Sequence, residues 1–239
     1  MSELPASVRK YVESLTPSEE RALREHLRTR FPIHPIEAEW GTTAEAILGA
    51  IARSGDLTKR GIRGILAEAV FEESVAAELR PLGWVSAPIT GDQPFDVLLT
   101  GTRGSLRIQV KQQRREAGVP KGYPERSRAR LKSPREGLYV VEVQRTRSGK
   151  REGRDTRPYR FGDFDLLAVN MQASTGRWDR FMYTPASWLL GRAAHPALVE
   201  IFQPVPAAAD EYWTDSAERC IDWVLSGGKR SLYGGRRRR

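Results

Sequence analysis

Apolar and polar residues follow a helical period through the first third of this chain and a strand period in several short runs after it. Helices are predicted over 4–15, from Thr16 to about Arg30, and from Thr42 to Arg53, where Ser54-Gly55 closes the third. Thr16-Pro17-Ser18-Glu19 supplies an N-cap, a proline at the first helical position and a capping-box acid. The stretch between Pro32 and Pro35 reads as a linker. A longer helix is expected from Thr58 to Leu82, with Ile65, Val75, Ala76 and Leu79 on one arc. Glu68 and Glu72 fall inside that apolar arc. Carboxylates there are costly unless they reach the rim, meet an arginine, accept hydrogen bonds or bind a cation.

The strand period is clearest in Pro94-Phe95-Asp96-Val97-Leu98-Leu99 and Leu106-Arg107-Ile108-Gln109-Val110-Lys111, joined by Gly101-Thr102-Arg103-Gly104 as a hairpin turn. Pairing Thr100 with Ser105 and counting back sets Asp96 opposite Gln109. Val97, Leu99, Ile108 and Val110 then face the core, while Asp96, Gln109 and Lys111 share the other face. Further strands are predicted at 137–144, 164–170, 180–183 and 197–202, the second nearly all apolar and so covered on both faces. A helix starting at Pro185 is expected through Leu190, and another from its N-cap Thr214 to Leu225. Residues 112–135 read as loop, 145–157 as an exposed basic loop, and the end from Ser226 as disordered unless bound. This gives an α/β (α+β) chain with a helical appendage at 1–55, a main domain at 56–225 carrying a basic insertion at 112–160, and a basic tail at 226–239.

Composition removes several classes. Of the 239 residues 39% are apolar and 29% charged, and no apolar run reaches the roughly 18 residues of a membrane span, so a soluble globular protein is expected. No signal-peptide pattern opens the chain. The single Cys220 excludes an internal disulfide and a cysteine-based zinc site, and His26, His34 and His195 lack ligand spacing. An intracellular, cytoplasmic protein is the expectation.

Charge adds the partner. Residues 101–160 hold 18 Lys/Arg against 6 Asp/Glu, and 229–239 add a further +6, which leaves −9 for the rest of a chain whose net charge is +9. Two concentrated basic segments on an acidic body are the pattern expected when phosphates must be contacted from particular elements. The candidate contacts are Arg114, Arg115, Lys121, Arg145, Arg147, Arg154, Arg157 and Arg160, because guanidinium forks onto phosphate or guanine edges. Hydrolysing a phosphodiester needs an activated water and neutralisation of developing charge, which a Mg²⁺ ion held by one or two carboxylates supplies. Asp96 is the main candidate ligand, Gln109 offers an amide oxygen, Glu68 supplies further negative charge, and Lys111 positions water or steadies the transition state.

Gly64-Ile65-Leu66-Ala67-Glu68, Pro94-Phe95-Asp96 and Gln109-Val110-Lys111 together resemble the signature of the PD-(D/E)XK nuclease superfamily, with Phe95 inserted and Gln109 in the acid's place. The resemblance spans about 58–171 and is greatest to type II restriction endonucleases. It implies a restriction-endonuclease-like core with a central mixed β-sheet flanked by helices, sequence-specific DNA cleavage and a homodimer on palindromic sites. Two alternatives stay open: a repair, junction-resolving or modification-dependent nuclease of the same superfamily, and, because of Gln109, a non-catalytic DNA-binding protein on a decayed nuclease core.

Overall fold

A computed structural model describes residues 5–31, 34–129, 131–133, 136–145, 150–151, 154–155 and 157–234, with side chains at all of these except 29, 150, 151, 154 and 155. The chain forms two compact units, residues 1–59 and 60–239.

In the first unit, helices α1 (Ala6–Glu13), α2 (Pro17–Arg30), α3 (Pro35–Trp40) and α4 (Ala44–Arg53) follow one another. The capping box at Thr16 and Glu19 forms as the sequence implies. The predicted linker is corrected at its end: Pro35 opens α3, because His34 Nδ1 accepts from the Ile36 amide and proline suits the first helical turn. Thr43, one residue beyond the predicted start, caps α4. No residue of α1, α3 or α4 is buried.

Helix α5 (Asp56–Val70) continues as a π-helical turn (Phe71–Ala76), a short α segment (Ala77–Leu79) and a 3₁₀ turn (Arg80–Leu82). The π turn corrects the predicted apolar arc. Ala67, Phe71, Val75 and Leu79 are buried at four-residue spacing, a stripe that drifts round an ideal α-helix but stays in line when one turn is widened. Ile65 is therefore off the stripe and 66% exposed, and Glu72 is exposed too. Ser74 Oγ donates to the Val70 carbonyl at 2.5 Å where the turn begins to widen. Gly83 then closes the helix in the left-handed conformation at φ 84°.

Strands β1 (Val85–Ala87), β2 (Val97–Gly101), β3 (Gly104–Gln112), β9 (Leu166–Asn170) and β10 (Phe181–Pro185) make a five-stranded sheet in the order β1-β2-β3-β9-β10. The β3–β9 pair is parallel and the others antiparallel, so the central sheet is mixed, as expected. The predicted hairpin register holds, with Thr100 opposite Ser105 and Val97 opposite Ile108. Gly101 has no room for a side chain, since a Cβ there would stand 2.6 Å from the Gly83 carbonyl oxygen. Asp165 locks β3 to β9. Its carboxylate accepts from the Arg107 backbone N–H (2.9 Å), Nε (3.0 Å) and Nη2 (2.8 Å), while its own N–H donates to the Arg107 carbonyl at 2.8 Å.

Alternation on these strands feeds two cores. Val97, Leu99, Ile108 and Val110 pack with the α5 stripe and with Cys220 and Ile221 of the helix Ala217–Leu225. Leu167, Val169 and Met182 pack on the opposite side with Val141, Val143, Tyr159, Trp188 and Trp213. Every residue of β9 is buried, as its unbroken apolar run predicts.

Within the excursion between β3 and β9 lie two hairpins, β4 (Arg115–Glu116) with β5 (Val119–Pro120) and β7 (Lys150–Arg151) with β8 (Arg154–Asp155). Between them, β6 (Tyr139–Glu142) pairs with β11 (Phe202–Val205) as a separate two-stranded layer. Three further expectations are corrected near the end. The Pro185 segment makes only a 3₁₀ turn, Ala186–Trp188, and the strand expected at 197–202 begins at Phe202. Ser216 caps the last helix, because Thr214 is tied to Tyr183 by two backbone hydrogen bonds.

Chain beyond Ser226 is not a loose tail as far as Gly234. Leu232 and Tyr233 are fully buried, the Tyr233 hydroxyl donates to Asp210 Oδ2 at 2.8 Å, and the Lys132 amide donates to the Tyr233 carbonyl at 2.9 Å. The arginine run at 236–239 lies outside the described residues. Tyr233→Ala is expected to cost about 3–5 kcal/mol, the loss for removing a buried aromatic side chain. Urea unfolding measures it, and an unchanged midpoint would show that the packed end contributes nothing to the fold.

Candidate active site

The ladder between β2 and β3 stops at Val97, and one residue earlier the chain turns its side chain to β3 instead of its carbonyl. The Asp96 N–H still donates to the Ile108 carbonyl at 2.9 Å. Its Oδ2 accepts from the Val110 backbone N–H at 2.9 Å and from Gln109 Nε2, and Lys111 Nζ stands 3.8 Å from the same oxygen. Every hydrogen bond to the carboxylate falls on Oδ2; among the described residues Oδ1 accepts none. Phe95, the residue inserted into the resembled signature, packs against the core formed by Val141, Tyr159 and Val169, which holds the turn into β2 in place.

Gln109 is completely buried, and its Oε1 has no hydrogen-bond partner. A buried carbonyl oxygen without a partner is expensive, so that atom marks a place where a donor or a cation is called for. Glu68 completes the group from α5. Its carboxyl is pushed up to about 7, first by burial and then by the charge of Asp96, with Lys111 acting in the opposite sense and Glu72 adding slightly to the rise. The structure thus brings together all four residues expected at the site, and Glu72, the other acid on that helix, contributes only a distant charge.

Donors available here are two carboxylates and one amide oxygen, all hard ligands that fit Mg²⁺ rather than a soft metal. No group of three or more His, Cys, Asp or Glu suited to a metal exists among the described residues, so a cation here depends on Gln109 as well as on the acids. The orphaned Oε1 and the repulsion between Glu68 and Asp96 are both features that a bound cation would relieve.

Two residues that the sequence reading passes over stand beside the cluster. Lys111 Nζ lies 5.6 Å over the ring of Tyr159, which is 48 positions away and carries no local signal. Gln113 is also fully buried, with neither amide atom partnered. Its place two residues after Lys111, one past the end of β3, is a signal the alternation contains.

The predicted DNA contacts divide. Arg114 pairs with Glu142, Lys121 with Glu116 at 2.7 Å and Arg145 with Asp92 at 3.2 Å, while Arg115 donates to Gln172 Oε1. Arg157 and Arg160 are exposed. Arg147 and the side chain of Arg154 lie outside the described residues. Ion pairs of this kind near the surface are weak, so a phosphate competes with the carboxylates. No helix among the described residues is long and apolar enough to cross a membrane.

No family model and no curated protein matches the chain. Among solved structures, that of a bacterial homing endonuclease is similar over 70% of this chain and 94% of that one, at 18% identity and a TM-score of 0.38. A likeness of that size carries no argument about activity.

Glu68 makes stability depend on pH with a definite sign. Its carboxyl titrates near 7 when folded and near 4.5 otherwise, so the folded state keeps a proton that the unfolded chain releases between those values. The proton's stabilising contribution is full below about 4.5 and is lost as pH rises through 7. Glu68→Gln should therefore gain on the wild type in thermal unfolding as pH goes from 4.5 to 8; parallel curves over that range would contradict the assigned burial and repulsion.

Proposed function

We propose that this chain is a Mg²⁺-dependent endonuclease that hydrolyses phosphodiester bonds of double-stranded DNA. The observation that carries the reading is the convergence of Glu68, Asp96, Gln109 and Lys111, from one helix and two paired strands, around an orphaned oxygen ligand. A basic excursion leaves the same strand directly after Lys111.

Asp96, through Oδ1, Glu68 and the Gln109 amide oxygen are the groups that would hold Mg²⁺. When bound, the ion supplies an acidified water and neutralises charge on the phosphate oxygens. The remaining steps belong to the chain's own side chains. Lys111 presents Nζ beside Asp96, where an ammonium offsets the charge that grows on the transferred phosphoryl oxygens. Glu68, pushed up to about 7 by burial and by Asp96, would hold the ion as the carboxylate, so its proton would be given up when the ion binds. Arg157 and Arg160 face solvent, and Arg114, Arg115, Lys121 and Arg145 exchange an acid or an amide for phosphate. Arg147 and Arg154 belong to the same basic stretch.

Within nucleases, the reading we favour is a type II restriction endonuclease, on the resemblance of the three motifs and the long basic insertion. Cutting both strands of a palindromic site then calls for a homodimer, and a cytoplasmic location follows from the substrate. One observation favours a non-catalytic DNA-binding protein instead: Gln109 turns Nε2 onto Asp96 Oδ2, so one of the two carboxylate oxygens is engaged by the protein itself.

Plasmid of mixed sequence incubated with the purified chain and Mg²⁺ separates these readings. Discrete bands indicate site-specific cleavage, relaxed circles or a smear indicate a repair-type nuclease, and tight binding without cutting in Mg²⁺ or Mn²⁺ leaves the binding protein. Lys111→Ala should lower cleavage by roughly 10²–10³-fold, the usual loss for one electrostatic stabiliser, while DNA binding changes little. An active Lys111→Ala variant would falsify the mechanism. Gln109→Glu should tighten Mg²⁺ binding, read by calorimetry, because a carboxylate replaces a neutral ligand; weaker binding would remove Gln109 from the site.

A further inference from the structure

Asp96 alone does not fix Lys111. The contact from Nζ to Oδ2 is 3.8 Å, an ion pair without a hydrogen bond, and a lysine stem has four rotatable carbons to place its charge elsewhere. The second contact is the ring of Tyr159, with Nζ 5.6 Å from its centroid and over its face. Aromatic faces attract ammonium groups within about 6 Å, and more strongly where water is excluded. Tyr159 is only 3% exposed.

That ring is itself held. It meets Phe164 edge to face, with centroids 5.3 Å apart and planes at 84°. The Tyr159 carbonyl accepts from the Val199 N–H at 2.9 Å, which ties this strand segment to the layer carrying β11. Burial first, and the Asp96 charge second, hold the phenol well above its ordinary range, so Lys111 meets a neutral ring and not a phenolate. Among the described residues the hydroxyl takes no hydrogen bond, so the aromatic face is the part of Tyr159 in use at the site.

We propose that Tyr159 is the positioning residue for Lys111: its ring face and the Asp96 carboxylate together define where the ammonium stands. Tyr159 lies between Arg157 and Arg160, so the element offering exposed cations to DNA also sets the cation at the reaction centre. The assignment rests on reading Lys111 as the charge-stabilising group of a nuclease.

The test uses the full chain and two independent measurements. In steady-state cleavage of plasmid with Mg²⁺, Tyr159→Leu should lower kcat roughly tenfold with KM for DNA little changed, and Tyr159→Phe, which keeps the ring, should restore kcat. Loss of cleavage in both variants, or in neither, overturns the proposal. Carbon-13 lysine labelling, assigned with Lys111→Arg, reads the same contact without any turnover. The Lys111 ε-methylene protons should be shifted upfield by the ring current in the wild type and in Tyr159→Phe. Unshifted signals overturn the proposal even if the wild type cuts DNA. Shifted signals in a wild type that cuts nothing uphold the placement and remove the nuclease reading instead.

Discussion

The site depends on a backbone N–H that has lost its strand partner. β3 pairs with β2 over residues 104–108 and with β9 over 108–112, and beyond the end of β2 the Val110 N–H would be left unsatisfied in the interior. Asp96 Oδ2 takes that hydrogen bond. A buried amide needs an acceptor, and a carboxylate supplied by the departing strand meets the need while bringing a negative charge to the same point. Gln109 and Lys111 follow because they flank Val110 on the strand and point to the side where Asp96 stands.

A carboxylate so placed changes what neighbouring elements can carry. Glu68 comes near it from α5, and burial, with the charge of Asp96 added, pushes its carboxyl up to about 7. The widened π turn after Val70 belongs to the same arrangement. It keeps Ala67, Phe71, Val75 and Leu79 in one buried line, so the helix can lie on the sheet along its length with Glu68 one residue from that line. A regular helix would spread the four residues over a wider arc. Lys111 partly balances the two acids, and its ammonium stands near both the Tyr159 ring and Asp96.

Basic charge in the excursion is less free than its count suggests. Glu142, Glu116 and Asp92 each engage one of its cations, and Gln172 engages Arg115. Such pairs hold long side chains in defined places at little energetic gain, and they yield to a ligand with more charge. The excursion also contributes to the core through Tyr123, Leu131, Leu138 and Val143, so it is a packed part of the domain and not an appended loop.

Local chemistry decided much of this in advance. Alternation from Val97 to Lys111, broken only at Leu98, with a glycine-bounded turn, determined the hairpin register and therefore which side chains meet at Asp96. The unbroken apolar run at Leu166–Asn170 determined a strand covered on both faces, and Thr16 with Glu19 determined a helix start. Tertiary structure decided what distant residues do to one another. The π turn moved Ile65 off the buried stripe, since an ideal helical wheel cannot anticipate a change of pitch. Leu232 and Tyr233 were drawn into a core whose other walls reach back to Tyr123, overriding a glycine- and arginine-rich composition. Tyr159 reached Lys111 across 48 residues, and Gln109 acquired an unpartnered oxygen only once both faces of the sheet were covered. Periodicity reports which way a side chain points, and only the packed chain determines what it meets there.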